Sequence, residues 1–213
     1  MSDNEARRDA GRTGTGGARQ GPVRSAARRT TRRRGWVALT GTPGTGKSKT
    51  ARRLSSRLHA VEVKDLALQL GAGRRRGPGS VEVDLTTLRR AFRSFARSSP
   101  DGVVVGHLAH FLPVSYIVVL RCNPVELARR LRGARRTPGD RTANVLSEAL
   151  DIVLVEALAA GVPVREVDTT DRSVAEVARI VEGLVRRRPA ARYGQVSWLA
   201  DHRVTEELLR GAL

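Results

Sequence analysis

Eight consecutive residues, Gly41-Thr42-Pro43-Gly44-Thr45-Gly46-Lys47-Ser48, fit the pattern G-x-x-x-x-G-K-[ST] without a gap. They stand between the apolar run Trp36-Val37-Ala38-Leu39 and a helical pattern that begins at Lys47. This strand–loop–helix context is what the motif requires, and it points to a phosphate-binding loop rather than a coincidental glycine turn. Glycines let backbone N–H groups turn inward as an anion nest, and the helix that starts there adds its positive dipole end. Of 39 Lys and Arg side chains only Lys47, Lys49 and Lys64 are lysines, so a chain that otherwise uses arginine keeps lysine here. Arginine's planar fork suits a fixed bidentate partner, whereas a compact ammonium on a flexible stem follows a phosphoryl group from donor to acceptor. Lys47 is thus placed for the β/γ-phosphates, and the Ser48 hydroxyl suits a Mg²⁺ ligand. The Lys49 amide can donate to a phosphate while its side chain is solvated.

From Trp36 onward short apolar runs alternate with helical patterns, the signature of βαβ units and a parallel sheet. Strands are predicted at 36–40, 61–63, 103–105, 116–120 and 164–167. A helix is predicted over Lys47–Leu58. A second follows Asp84, with Leu85, Leu88, Phe92 and Phe95 on one face. Asn123-Pro124-Val125-Glu126 and Ser173-Val174-Ala175-Glu176 read as N-cap signals, the latter for a helix running to about Arg187. After Pro189, the residues Trp198, Leu199, Val204, Leu208 and Leu209 suggest short amphipathic helices that dock on the core or on a partner. The expected organisation is an Arg-rich arm (1–34), one α/β domain (35–187) with an acceptor-binding insert at about 64–97 and a lid at about 132–143, and a C-terminal helical extension (188–213).

The formal net charge of +18 favours polyanionic partners, RNA or nucleotides, over a basic protein. Residues 1–34 hold ten arginines against Asp3, Glu5 and Asp9, with almost nothing to bury. They read as a disordered arm, either an electrostatic attachment to RNA or a plain unstructured extension. The single cysteine, Cys122, excludes an intrachain disulfide, and no apolar run approaches the roughly 20 residues of a membrane span. A cytoplasmic monomer is expected.

Two further features bear on chemistry. The stretch 132–143 is rich in Gly and Arg and reads as a mobile cationic flap, whose Arg132, Arg135, Arg136 and Arg141 can stabilise phosphoryl charge or remain solvated. His107 and His110 follow the third strand at its carboxyl end, where ligands of open parallel sheets bind. His107 is the better placed to orient a water or an acceptor group, against the alternative of a hydrogen-bonded loop histidine.

The segments "GTPGTGKS", "GHLAHFLP", "IVVLRCNPVELARRL", "NVLSEALDIVLVEAL" and "VDTTDRSVAEV" together resemble, in that order, the archaeal and eukaryotic atypical adenylate kinase family. The resemblance covers about residues 36–187. It implies a three-layer P-loop nucleoside monophosphate kinase fold with a five-stranded parallel sheet of order 2-3-1-4-5. It also implies ATP with Mg²⁺, phosphoryl transfer from ATP to AMP, and an ATPase activity linked to a small-subunit ribosomal protein and ribosomal RNA maturation. Carried over by position, Gly44, Gly46, Lys47, Ser48 and Lys49 form the ATP phosphate site, with Ser48 on the metal. His107 matches the family's post-strand histidine, and Arg135, with Arg136 beside it, stands for the lid arginine. Three positions depart from the family, one of them Lys49, which stands where the phosphate loop's second hydroxyl residue is expected. Val105 occupies the place of a carboxylate two residues before the histidine, leaving the metal to Ser48 and the phosphates. Leu68 stands where an acceptor-site arginine is expected, which passes the grip on AMP to Arg74–Arg76.

Overall fold

The computed structural model describes residues 35–77, 80–99, 101–133 and 137–209. Five strands, β1 (Trp36–Gly41), β2 (Ala60–Glu62), β5 (Gly102–Val105), β6 (Tyr116–Arg121) and β7 (Val164–Asp168), form one parallel sheet in the order β2-β5-β1-β6-β7. Counting only these strands along the chain, the order is 2-3-1-4-5, as expected. β1 lies at the centre, paired in register to β5 (Leu39 beside Val105) and to β6 (Leu39 beside Val118). All six residues of β1 and of β6 are buried, because helices cover both faces of the sheet.

The period-2 alternation of the strands sorts their side chains into two cores. Trp36 and Ala38 join Val104, Ile117 and Val119 on one face, under α2 (Val63–Gln69), α3 (Leu85–Ser98) and α6 (Ile152–Leu158). Val37 and Leu39 join Val103, Val118 and Leu120 on the other, under α1 (Lys47–Leu54) and α7 (Val174–Arg187). Trp36 meets Phe92 at a ring separation of 5.5 Å, edge to face, which ties β1 to α3.

Local signals explain most element ends. Asp84 caps α3 by accepting from the Thr87 amide at 3.1 Å, and Ser173 with Glu176 forms a reciprocal capping box on α7. Helix α1 stops at Leu54, short of the expected Leu58: the Ser55 hydroxyl turns back to the Arg52 carbonyl at 2.7 Å, competing with the helical ladder.

The insert region carries a hairpin, and part of the expected flap is helical. Arg74, Arg75 and Arg76 lie on a two-stranded antiparallel hairpin, β3 (Gly73–Gly77) with β4 (Ser80–Val83), where Arg76 pairs with Glu82. The expected flap at 132–143 is in its second half a helix: α5 (Pro138–Ala149) follows α4 (Pro124–Arg132) and starts with Thr137 and Asp140 in a capping box and Pro138 at the first position. The residues after Pro189 fold back on the domain as a short 3₁₀ turn at Trp198–Ala200 and α8 (His202–Leu209), with Val204 fully buried.

Candidate active site

The turn from β1 into α1 builds the phosphate loop. Gly44 and Gly46 take φ of +101° and +97°, a region that side chains with a Cβ rarely occupy. Gly44 has a second constraint: a Cβ there would stand 2.6 Å from Leu127 Cδ1 and 2.9 Å from Leu131 Cδ2, so α4 packs directly against the loop. Thr45 closes the turn by donating its hydroxyl to the Thr42 carbonyl at 2.9 Å. Lys47 is buried, and its ammonium donates to the carbonyls of Gly41 at 2.7 Å and Thr42 at 2.8 Å. The cation is thus drawn over the loop, beside the amides at the start of α1, and the loop presents cation and amides to one place.

A cleft of about 1230 Å³ opens over this loop. Gly44, Gly46, Lys47, Ser48, Lys49 and His107 all line it, so the structure brings six of the sequence-derived site residues together. Ser48, Lys49 and His107 are exposed. Arg135 and Arg136 lie outside the described residues. Arg132 on α4 and Arg141 on α5 do not line the cleft, and neither do Arg74–Arg76 on the hairpin.

The cleft's arginine wall comes from elsewhere. Arg129 and Arg130 lie three and four residues after Glu126 on one face of α4, and both bind its carboxylate, Arg129 through two nitrogens at 2.6 and 2.8 Å and Arg130 at 2.8 Å. The Arg129 hydrogen bonds, helped by Arg130, hold the Glu126 carboxyl down at about 2. Arg130 also donates to the carbonyls of Thr169 and Thr170 at 2.9 and 2.8 Å, which fixes it across the carboxyl ends of β6 and β7. Arg172, held by the Asp168 carbonyl at 2.6 Å, lines the same rim. The E-x-x-R-R spacing of α4 is the signal for this wall.

Four carboxylates line the cleft: Glu62, Glu126, Asp140 and Glu156. Glu126 is taken by its arginines, Asp140 by its cap and Glu156 by His110. Glu62 ends β2 directly beside Val105 in the sheet register, with Lys64 at 3.8 Å. No group of three His, Cys, Asp or Glu side chains fit to hold a metal by themselves occurs among the described residues. The exposed Ser48 hydroxyl at the mouth of α1 is an oxygen that could take a Mg²⁺ ion together with phosphate oxygens.

His110 is not a surface histidine. Its ring is buried between Thr40 at the end of β1 and Glu156 on α6, with Nδ1 2.8 Å from Thr40 Oγ1 and Nε2 3.2 Å from Glu156 Oε2. The arrangement closes when Thr40 donates to Nδ1 and Nε2–H donates to the carboxylate. Burial pushes the imidazole down to about 4, so it is neutral near pH 7.

The chain matches the AAA domain family (AAA_18) over residues 37–151, which takes in the phosphate loop, α4 and α5. It is 40% identical over 170 residues to the "Putative adenylate kinase" of Archaeoglobus fulgidus, covering 78% of this chain and 92% of that one. To the "Putative adenylate kinase" of Thermococcus onnurineus it is 36% identical over 178 residues, covering 82% and 98%. The protein of the same name from Halobacterium salinarum is 39% identical over 164 residues, covering 73% and 94%. A five-stranded parallel sheet of order 2-3-1-4-5, a lysine-bearing phosphate loop and these matches agree: the chain belongs to the P-loop AAA domain family, together with these archaeal proteins.

Proposed function

We propose that the protein is an ATP:nucleoside monophosphate phosphotransferase of adenylate kinase type, moving the γ-phosphoryl group of ATP to the phosphate of AMP and yielding two ADP. The observation that carries the reading is the Lys47 ammonium, held by the Gly41 and Thr42 carbonyls at the floor of a cleft walled by Arg129, Arg130 and Arg172. ATP's terminal phosphates fit the amides at the start of α1, with Lys47 leaving its two carbonyls for the β/γ-oxygens. Ser48 would hold Mg²⁺, which supplies charge neutralisation between the β- and γ-phosphates. Glu62 stands beside Val105 and offers the nearest carboxylate in the register to steady that ion through water. His107 orients the acceptor oxygen, and Arg135 with Arg136 closes over the transferring group, while Lys49 contributes its amide to the phosphates. The names of the archaeal relatives support this activity.

A second reading is favoured by Val105 and Leu68, which leave the metal and acceptor sites short of charged groups, and by the net charge of +18. In it the protein is chiefly an ATPase that assists small-subunit ribosomal RNA maturation while bound to a ribosomal protein or to RNA, in the cytoplasm. No described helix is long and apolar enough to cross a membrane. The two readings separate when purified protein is given MgATP with and without AMP and both ADP and inorganic phosphate are followed. Two ADP per AMP consumed, with no phosphate released, supports the kinase. Phosphate release independent of AMP and stimulated by RNA or ribosomal protein supports the ATPase, and neither product in either condition refutes both.

A further inference from the structure

Adjoining the phosphate loop, four side chains that do not line the cleft form a closed polar cluster: Thr42, Arg121, Glu148 and Trp198. Glu148 on α5 is only 2% exposed, yet its carboxylate has four donors. Thr42 gives its hydroxyl to Oε2 at 2.5 Å, while Oε1 accepts from Arg121 Nε at 2.8 Å, from the Cys122 amide at 3.1 Å and from the Trp198 indole N–H at 3.1 Å. Arg121 is also held by Glu166 at 2.6 Å and by Asp151, and its guanidinium lies 5.8 Å from the centre of the Trp198 ring. A carboxylate this deeply buried persists only when its lone pairs are satisfied, and its donors come from three separate parts of the chain: Thr42, Arg121 with Cys122, and Trp198.

The cluster touches the chemistry through Thr42. Its hydroxyl binds Glu148, and its carbonyl accepts both the Lys47 ammonium at 2.8 Å and the Thr45 hydroxyl at 2.9 Å. A displacement of Thr42 therefore moves the resting place of the catalytic cation and the turn that shapes the nest. An apolar route runs in parallel. Leu208 of α8 packs on the cluster of Leu127 and Leu131, and these two leucines stand against Gly44. The segment after Pro189 thus reaches the phosphate loop twice.

We propose that Trp198 and Glu148 are positioning residues for nucleotide binding, through which the C-terminal segment fixes Thr42 and thereby the shape of the phosphate loop. A loop held in its binding shape before the ligand arrives spends none of the interaction energy on ordering, so loosening it weakens affinity for ATP without removing any group that touches ATP. The inference rests on the nucleotide-binding reading of the cleft.

The test uses the full-length chain and calorimetric titration with MgATP, alongside thermal unfolding. Trp198→Phe keeps an aromatic ring and removes the indole donor, and Thr42→Val keeps the side-chain shape and removes the hydroxyl. Each is expected to weaken MgATP binding roughly three- to tenfold, the worth of one hydrogen bond, while Thr42→Ser stays within about twofold of wild type. The Thr42 pair carries the test by itself if the tryptophan variant fails to fold. Wild-type affinity in both Phe and Val variants, with only a lower unfolding temperature, overturns the proposal and leaves a purely structural cluster. Absence of MgATP binding in the wild type refutes the nucleotide reading instead.

Discussion

His110 converts burial into a pH dependence that can be worked out in advance. In the unfolded chain its imidazole titrates near 6.5, while in the native protein burial holds it down to about 4. Above pH 6.5 both states are neutral and the residue adds no pH dependence. As the pH falls through 6.5 the unfolded chain takes up a proton that the native state refuses, so stability is lost from there down to about pH 4. The loss is about 2 kcal/mol by pH 5 and on the order of 3 kcal/mol once both forms are protonated. His110→Gln removes this titration. Urea unfolding of both proteins from pH 7.5 to pH 5 isolates it, because carboxylates distant from residue 110 titrate alike in each. The wild type is expected to lose about 2 kcal/mol more than the variant over that range. Among the described residues Thr40 and Glu156 are the hydrogen-bond partners of the ring nitrogens, and NMR titration of the imidazole supplies the independent check. A native His110 that titrates near 6.5, or stability curves that run parallel, would refute the argument.

Other outcomes follow from the same geometry. Gly44→Ala forces a Cβ onto a φ of +101° and to 2.6 Å from Leu127, so nucleotide affinity measured by calorimetry should fall about tenfold or more, with a lower unfolding temperature. Unchanged affinity would mean the loop re-forms around a side chain. The Tyr116 phenol is buried without a hydrogen-bond partner among the described residues, so Tyr116→Phe should leave urea stability unchanged or raise it by up to about 1 kcal/mol. A clear loss would show that the hydroxyl has a partner. Burial pushes the Cys122 thiol up to about 12, and the native protein should resist a thiol reagent at pH 8 that labels the urea-unfolded chain within minutes. Rapid native labelling would place Cys122 nearer solvent.

The sheet was legible because its central strands β1, β5 and β6 are apolar runs of a type that a doubly covered parallel sheet buries, and the phosphate loop because its glycines and lysine are each dictated by local geometry. The caps at Asp84, Asn123 and Ser173 were legible for the same reason: a cap is a contact within four residues. Thr137-Pro138-Gly139-Asp140 carried an equally local signal for α5, but the surrounding arginines and glycines read as a loop. The pairing of β3 with β4 was hidden because β3, Gly73-Arg74-Arg75-Arg76-Gly77, has no apolar residue to set an alternation, and Val83 of β4 packs on a core formed by distant parts of the chain. Long-range groups were the least legible. Nothing near Glu148 in the chain announces Thr42, 106 residues away, or Trp198, 50 residues away. The burial of His110 likewise comes from α6, and its value to the fold is invisible in "GHLAHFLP".

The central claim is that one ammonium at the mouth of α1 grips a nucleotide's terminal phosphates, and Lys47→Met tests it most directly, since methionine keeps the length of the stem and removes the charge. Calorimetric titration with MgATP is expected to show saturable binding to the wild type and at least about tenfold weaker binding to the variant, the loss of one charge-assisted contact. Equal affinity in the two proteins, with both folded, would contradict the account.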